Sequence, residues 1–198
     1  MASETETIDV ESLRSLCTAA LASAGARASD AANCAHILLE AELMGISTHG
    51  AVRVPDYARR LRGGGIDAGA EPKLERRAPS LALVDGANAL GPVVGLRALE
   101  AGLEMARETG IAYVGCRASN HFGAIAPYGR IACEAGFVML AGTNASATMP
   151  PWGGKALRLG NNPLCIAAPG ALGAHFILDI AMSVAARGKI RAAATVGR

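Results

Sequence analysis

The sequence predicts an α/β fold in which a helical N-terminal segment precedes a domain of alternating strands and helices. Two textures carry this expectation. From about residue 8 to 62 apolar residues recur at helical spacing, whereas beyond residue 80 short apolar runs alternate with helical stretches. The Gly/Pro- and charge-rich stretch RGGGIDAGAEPKLERRAP separates them, so residues 1–65 read as a helical part and residues 66–198 as a mixed α/β domain.

Each element has its own justification. Leu13, Leu16, Cys17, Ala20 and Leu21 form one stripe, with Asp9 placed to cap its start and Gly25 following its end. A second helix should begin near Ser29 and stop at Gly45, and a third should follow with Ser47 or Thr48 as cap. Pro55 predicts a kink or restart in that third helix, because proline removes a backbone bond and disfavours helical geometry at the preceding residue. Buried strands are expected at LALVD (81–85), IAYVGC (111–116), FVMLAG (137–142), LCIAAP (164–169) and FILDIA (176–181). Helices should fill Val93–Glu108 and Ala124–Ala135 between the first three. No repeat or low-complexity tract interrupts the pattern.

Bulk properties narrow the function. Hydrophobic residues make up 51% of the 198 and charged ones 18%, the composition of a packed fold and not of a disordered tail. A net charge of +2 without a Lys/Arg cluster offers no footprint for nucleic acid or an anionic membrane surface. The opening MASETETIDVESLRSL is acidic and then amphipathic, unlike a signal peptide, and no apolar run approaches membrane-spanning length. Cys17, Cys34, Cys116, Cys133 and Cys165 are scattered through apolar segments and read as buried free thiols of a cytoplasmic protein, with no metal site among them.

Polar residues that interrupt the apolar fabric mark the candidate chemistry. In GISTHGAVRVPDY, His49, Arg53 and Tyr57 are spaced by four and would share a face if the segment were one helix. In CRASNHFGAIAPYG, Ser119, Asn120 and His121 stand at the carboxyl end of an expected strand, where α/β folds carry their sites. The following loop, GTNASATMPPWGGKALRLGNNP, is long enough to suggest function. It holds Trp152, read as a packing anchor, and Gly153, Gly154 and Lys155, a weak phosphate-cradle signal. Standard motifs fail: GGGIDA near Gly63 follows a helix and precedes a linker, so it is no dinucleotide fingerprint. No phosphate-loop consensus, Gly-x-Ser-x-Gly elbow or zinc-spaced histidine pair is present.

Three segments, AELMGISTHGAVRVPDYARRLRGGGI, SNHFGAIAPYGRIACEAG with TNASATMPPWGGKALRLGNNPLCIAAP, and LDIAMSVAARGKI, together resemble the type-2 malate/L-lactate dehydrogenase family, also called sulfolactate dehydrogenase-like. The match spans most of residues 10 to 191. The resemblance implies a mixed-sheet, non-Rossmann NAD(P)-binding domain and a homodimeric oxidoreductase. Its chemistry would be hydride transfer between NAD or NADP and a small-molecule 2-oxo or 2-hydroxy acid, or a cyclic imine acid. His49 matches the family's proton-donating histidine and Arg53 the arginine that holds the substrate carboxylate. His121 matches a second histidine of the active cleft, credited with acid/base work in some members. Asp179 falls in a segment, with Ile180, Ala181 and Ser183, that contacts the cofactor and steadies the catalytic proton; Ser119, Thr143, Asn144 and Ala145 match further cofactor and substrate contacts.

The roles suit the residue types, since histidine exchanges a proton near neutrality and arginine clamps a carboxylate by paired bonds. Two positions depart from the pattern: Thr48 stands where a serine is common, and Ala145 where a serine often contacts cofactor. The family also continues well beyond the length of this chain, so a truncated non-catalytic remnant or interaction module is the alternative to a dehydrogenase. Bland readings compete at single residues as well. Arg53 pairs equally well with Asp56 or Glu42 on a surface, Asp179 with a helix beginning near Ala181, and His36 and His175 call for no role.

Overall fold

Asp9 starts the first helix as expected: in the computed structural model, which describes residues 7–183, its carboxylate accepts the backbone N–H of Ser12 at 2.9 Å. Helix α1 runs Val10–Ser23 and α2 Ala28–Leu43, ended by Gly25 and Gly45 at φ +107° and +75°, a conformation glycine adopts without steric cost. The chain forms two compact units, Met1–Gly123 and Ala124–Arg198. The first holds the N-terminal helices together with the first sheet, across the division expected at residue 65.

The segment after α2 is not one helix. Single 3-10 turns occupy Ser47–His49 and Ala51–Arg53, and helix α3 begins only at Val54, running to Arg62. Pro55 sits in the first turn of α3, where its missing N–H costs nothing and its fixed φ favours the start. The expected kink is therefore a helix origin, and the spacing of His49, Arg53 and Tyr57 does not define a single helical face. Leu21, Cys34, Leu38, Leu39, Val54, Tyr57 and Leu61 bury together as the core of α1, α2 and α3.

The first unit's sheet contains a strand that composition concealed. Strand β1, Lys73–Ala78, lies in the expected connector and pairs antiparallel with β2, Leu81–Asp85. Its residues are mostly exposed and charged, which suits a sheet edge. Helix α4, Gly91–Thr109, then crosses to β3, Tyr113–Arg117, which pairs in parallel with β2. The sheet order is β1-β2-β3, and α4 packs on β2 and β3.

In the second unit helix α5, Ala126–Glu134, packs on an antiparallel sheet of order β4-β5-β6, with β4 at Met139–Gly142, β5 at Leu164–Ala168 and β6 at Phe176–Ile180. Close packing needs Gly129, where a Cβ would lie 3.0 Å from that of Ala167. The loop between β4 and β5 folds back on itself through paired backbone bonds between Met149 and Leu159. Trp152 at its tip is fully exposed, so it anchors nothing, contrary to expectation: the loop is closed by backbone pairing and not by side-chain burial. Four of the five cysteines are buried free thiols, but Cys116, at the carboxyl end of β3, is exposed. No helix among the described residues is long and apolar enough to cross a membrane.

Gly91 is packed tightly against backbone in the first unit. A Cβ there would sit 2.3 Å from the carbonyl oxygen of His121 and 2.4 Å from that of Asn120, and backbone cannot yield as a flexible side chain does. Gly91→Ala is expected to lower stability by ~1–3 kcal/mol, read from denaturant midpoints. An unchanged midpoint would show that α4 shifts freely against this loop.

Candidate active site

The 3-10 turn Ser47–His49 and the loop after β3 bring two histidines face to face. The rings of His49 and His121 stack with centroids 5.5 Å apart and planes 19° from parallel. Tyr57 approaches the second edge-on, and its hydroxyl lies 2.6 Å from His121 Nδ1. Thr48 Oγ1 lies 3.0 Å from His49 Nδ1. Arg53 donates from Nε to the Thr48 carbonyl at 2.7 Å and has Asp56 at 3.8 Å from Nη1. Of its two expected surface partners, Asp56 is therefore adjacent, while Glu42 is engaged elsewhere.

Glu42 holds the histidine loop. Its Oε1 accepts the Ala51 N–H at 2.9 Å, satisfying a helix-start donor that the chain cannot satisfy itself. Gly50 leaves room for it, since a Cβ there would fall 2.2 Å from the same oxygen and displace the Glu42 side chain. On the other side Asn120 Nδ2 donates to the carbonyls of Asn88 and Ala89 at 3.0 and 2.8 Å, and Arg60 Nη2 donates to Asn120 Oδ1 at 2.6 Å. From sequence Arg60 has no role, Glu42 appears only as a surface partner of Arg53, and Asn120 only as a neighbour of His121 at the strand end.

Electrostatics distinguish the site. His121 keeps part of its ring in solvent, while its Nδ1 faces the Tyr57 hydroxyl. Desolvation first, then the charges of His49, Arg53 and Arg60, hold its pKa down to about 4 from the ordinary 6.5. Burial pushes the Tyr57 phenol far above its ordinary range, so it remains a donor at every physiological pH.

The remaining candidates gather in two places. Ser119 is exposed on the loop after β3, its hydroxyl donating to the Asn120 carbonyl at 3.3 Å. In the second unit, antiparallel register places the ends of β4 and β6 on either side of the start of β5. Thr143 N donates to Pro163 O at 3.3 Å, Ala145 N to Asn162 Oδ1 at 2.9 Å and Met182 N to Asn161 O at 2.7 Å. Thr143, Asn144 and Ala145 thus lie at the same end of this sheet as Ile180, Ala181 and Ser183, on the other side of β5. Asp179 takes a structural position: Oδ2 accepts the N–H groups of Ile125 and Ala126, each at 2.8 Å, and so caps α5, a different helix from the one expected near Ala181. Among the described residues no group of three or more His, Cys, Asp or Glu side chains could hold a metal ion.

Residues 8–198 match the family model described as malate/L-lactate dehydrogenase. The chain belongs to this family. It is 38% identical over 183 residues to a malate dehydrogenase of Pyrococcus abyssi, covering 92% of this chain and 50% of that protein. It is 36% identical to an NAD(+) ureidoglycolate dehydrogenase of Escherichia coli, covering 92% and 52%. The solved malate dehydrogenase of Pyrococcus horikoshii OT3 superposes with a TM-score of 0.88 at 34% identity, over 95% of this chain and 56% of that one. The chain therefore spans about half the length of the curated relatives it matches.

Within this family member, a cap and a catalytic group make different demands on Asp179. Asp179→Asn keeps an oxygen for the α5 N–H groups and should cost well under the ~1 kcal/mol expected of Asp179→Ala, as measured by chemical denaturation. Equal losses in both variants would mean that the charge, and not the cap, is what this position needs.

Proposed function

We propose that the chain carries the substrate- and proton-handling residues of an NAD(P)-dependent oxidoreductase acting on 2-oxo and 2-hydroxy acids of malate or lactate type. The stacked His49 and His121 beside Arg53 are the observation that carries this reading, because reducing a 2-oxo acid requires a proton source next to a fixed cation. Arg53 orients the substrate carboxylate, for which a guanidinium offers paired charge-assisted donors. His49 gives a proton to the substrate oxygen in reduction and recovers one in oxidation.

The end of the second unit's sheet fits a nicotinamide dinucleotide, NAD or NADP, by the chemistry of its donor set. Thr143 and Ser183 offer hydroxyls and Asn144 an amide, beside the apolar Ile180 and Met182. Bound there, the cofactor supplies or accepts the hydride. Ala145, Ala181 and Asp179 complete the proposed contacts of this unit, Ser119 and His121 are the candidate cofactor contacts of the first unit, and the active species would be a cytoplasmic homodimer.

A panel of 2-oxo acids with NADH and NADPH tests this reading by loss of reduced-nicotinamide absorbance. His49→Ala should lower kcat by about 10²–10⁴-fold, whereas Arg53→Ala should act first on KM. Wild-type-like kcat in His49→Ala would remove the proposed proton source. A chain that neither binds nor oxidises either cofactor would favour the alternative, a non-catalytic module of the same fold.

A further inference from the structure

We propose that Arg60 is a specificity residue, the second cation of the candidate site, placed to take the distal acidic group of a dicarboxylate while Arg53 holds the carboxylate beside the reacting carbon. The chain then prefers 2-oxo and 2-hydroxy diacids to monoacids of lactate type. Arg53 has helical backbone angles at the N-cap of α3, and Tyr57 and Arg60 follow it at spacings of four and three, which put the three side chains on one stripe. Each arginine is tied to the residue before one of the stacked histidines. Arg53 Nε donates to the Thr48 carbonyl at 2.7 Å and Arg60 Nη2 to Asn120 Oδ1 at 2.6 Å. The rings of His49 and His121 stand 5.5 Å apart, so the two guanidiniums converge on one small space although a helix would set their Cα atoms about 10 Å apart.

Arg60 is bonded but not neutralised. Its other bond, again from Nη2, runs to the Gly65 carbonyl at 3.1 Å, so both acceptors are uncharged oxygens. Asp56, the only carboxylate of α3, pairs with Arg59 and lies 3.8 Å from Arg53. Among the described residues Arg60 forms no ion pair, and it is exposed to solvent, which leaves its remaining N–H groups accessible to an anion. The surrounding charges point the same way. Arg53 and Arg60 both act on Tyr57 and on His121, with Cys34 and His49 as the other titratable neighbours and no carboxylate among them. Glu42, the acid beside the His49 loop, is turned to the Ala51 N–H. Two cations without an opposing carboxylate favour a ligand with two negative charges over a ligand with one.

Turnover of diacids rests on the dehydrogenase reading; the binding preference does not. Calorimetric titration of the 198-residue chain with malate and with lactate, without cofactor, reads the second cation directly. Malate should bind about 10- to 100-fold more tightly. Arg60→Gln, which keeps a donor for Asn120, should remove most of that difference, and Arg60→Lys should retain it. With NADH or NADPH, Arg60→Gln should lower kcat/KM for oxaloacetate relative to pyruvate by a similar factor.

Equal losses for malate and lactate in Arg60→Gln would show that Arg60 only braces Asn120, and would overturn the proposal. Wild-type protein that binds the two acids alike, or binds neither, would overturn it even if Arg60→Gln fails to fold. Absence of turnover with both cofactors, beside malate binding that depends on Arg60, would count against the dehydrogenase reading and leave the assignment of Arg60 standing.

Discussion

A phenol taken out of water must find a partner, and the first unit is arranged around that requirement. Tyr57 is only 3% exposed, packed with Cys34, Leu38, Val54 and Leu61 in the core of the N-terminal helices. An unpaired hydroxyl at such a depth would cost about 1–3 kcal/mol. The partner, His121 Nδ1, is 64 residues away in sequence, so the helical core and the loop after β3 must be correct together. Starting α3 at Val54, with Pro55 in its first turn, fixes the direction in which Tyr57 leaves its helix.

Both histidines are held through their backbones by unrelated means. The His49 loop is pinned by the left-handed Gly45 at one end and by the Glu42 carboxylate on Ala51 N at the other. The His121 loop leaves β3 through Ala118 at φ +48°, and Asn88 on the facing turn also adopts a left-handed φ of +64°. Such conformations in non-glycine residues persist only where surrounding bonds over-determine them. Here Asn88 N donates to Ala118 O at 2.8 Å and Gly86 N to Arg117 O at 2.9 Å, while the Asn120 amide ties the loop to Asn88 and Ala89. Strain and its compensation fall on the residues that set the position of His121, which is the pattern expected where geometry matters for chemistry.

Sequence made the periodic parts of this arrangement legible. The stripes of α1 and α2, the cap at Asp9 and five apolar strands are local patterns, and they form with end-points within two residues of those expected, although β3, β4 and β6 are half-exposed and not the buried strands their apolar runs suggested. Strand β1 escaped because KLERRA is held by edge pairing with β2 and by ion pairs of Arg76 with Glu108 and Glu75 with Arg117, none of which leaves an apolar alternation. Pro55 was read by its interior penalty because nothing local reveals that the preceding residues close into two separate 3-10 turns. The candidate residues His49, Arg53 and His121 could be chosen from sequence, but their stacking, the Tyr57 bond and the Glu42 brace are long-range events with no sequence period. Asp179 illustrates the same limit: a carboxylate at the end of a strand signals a cap, yet the helix it caps begins more than fifty residues earlier.

The two departures from the family pattern differ in physical weight. Thr48 retains the hydroxyl of the serine it replaces, and that oxygen lies within bonding distance of His49 Nδ1; its extra methyl stiffens χ1 and so fixes where the hydroxyl points. Ala145 loses the hydroxyl outright, but its backbone N–H is held by Asn162 Oδ1, and its carbonyl lies so close to Gly160 that a Cβ there would approach within 2.2 Å. The course of the backbone at 145 is thus set by bonds and packing that do not involve its side chain. Replacing serine by alanine at such a position removes one contact available to a bound molecule while leaving intact the loop that brings Thr143 and Asn144 to the end of the sheet. The first departure preserves a bond inside the proposed proton-handling pair, and the second subtracts one from a surface whose shape is maintained without it.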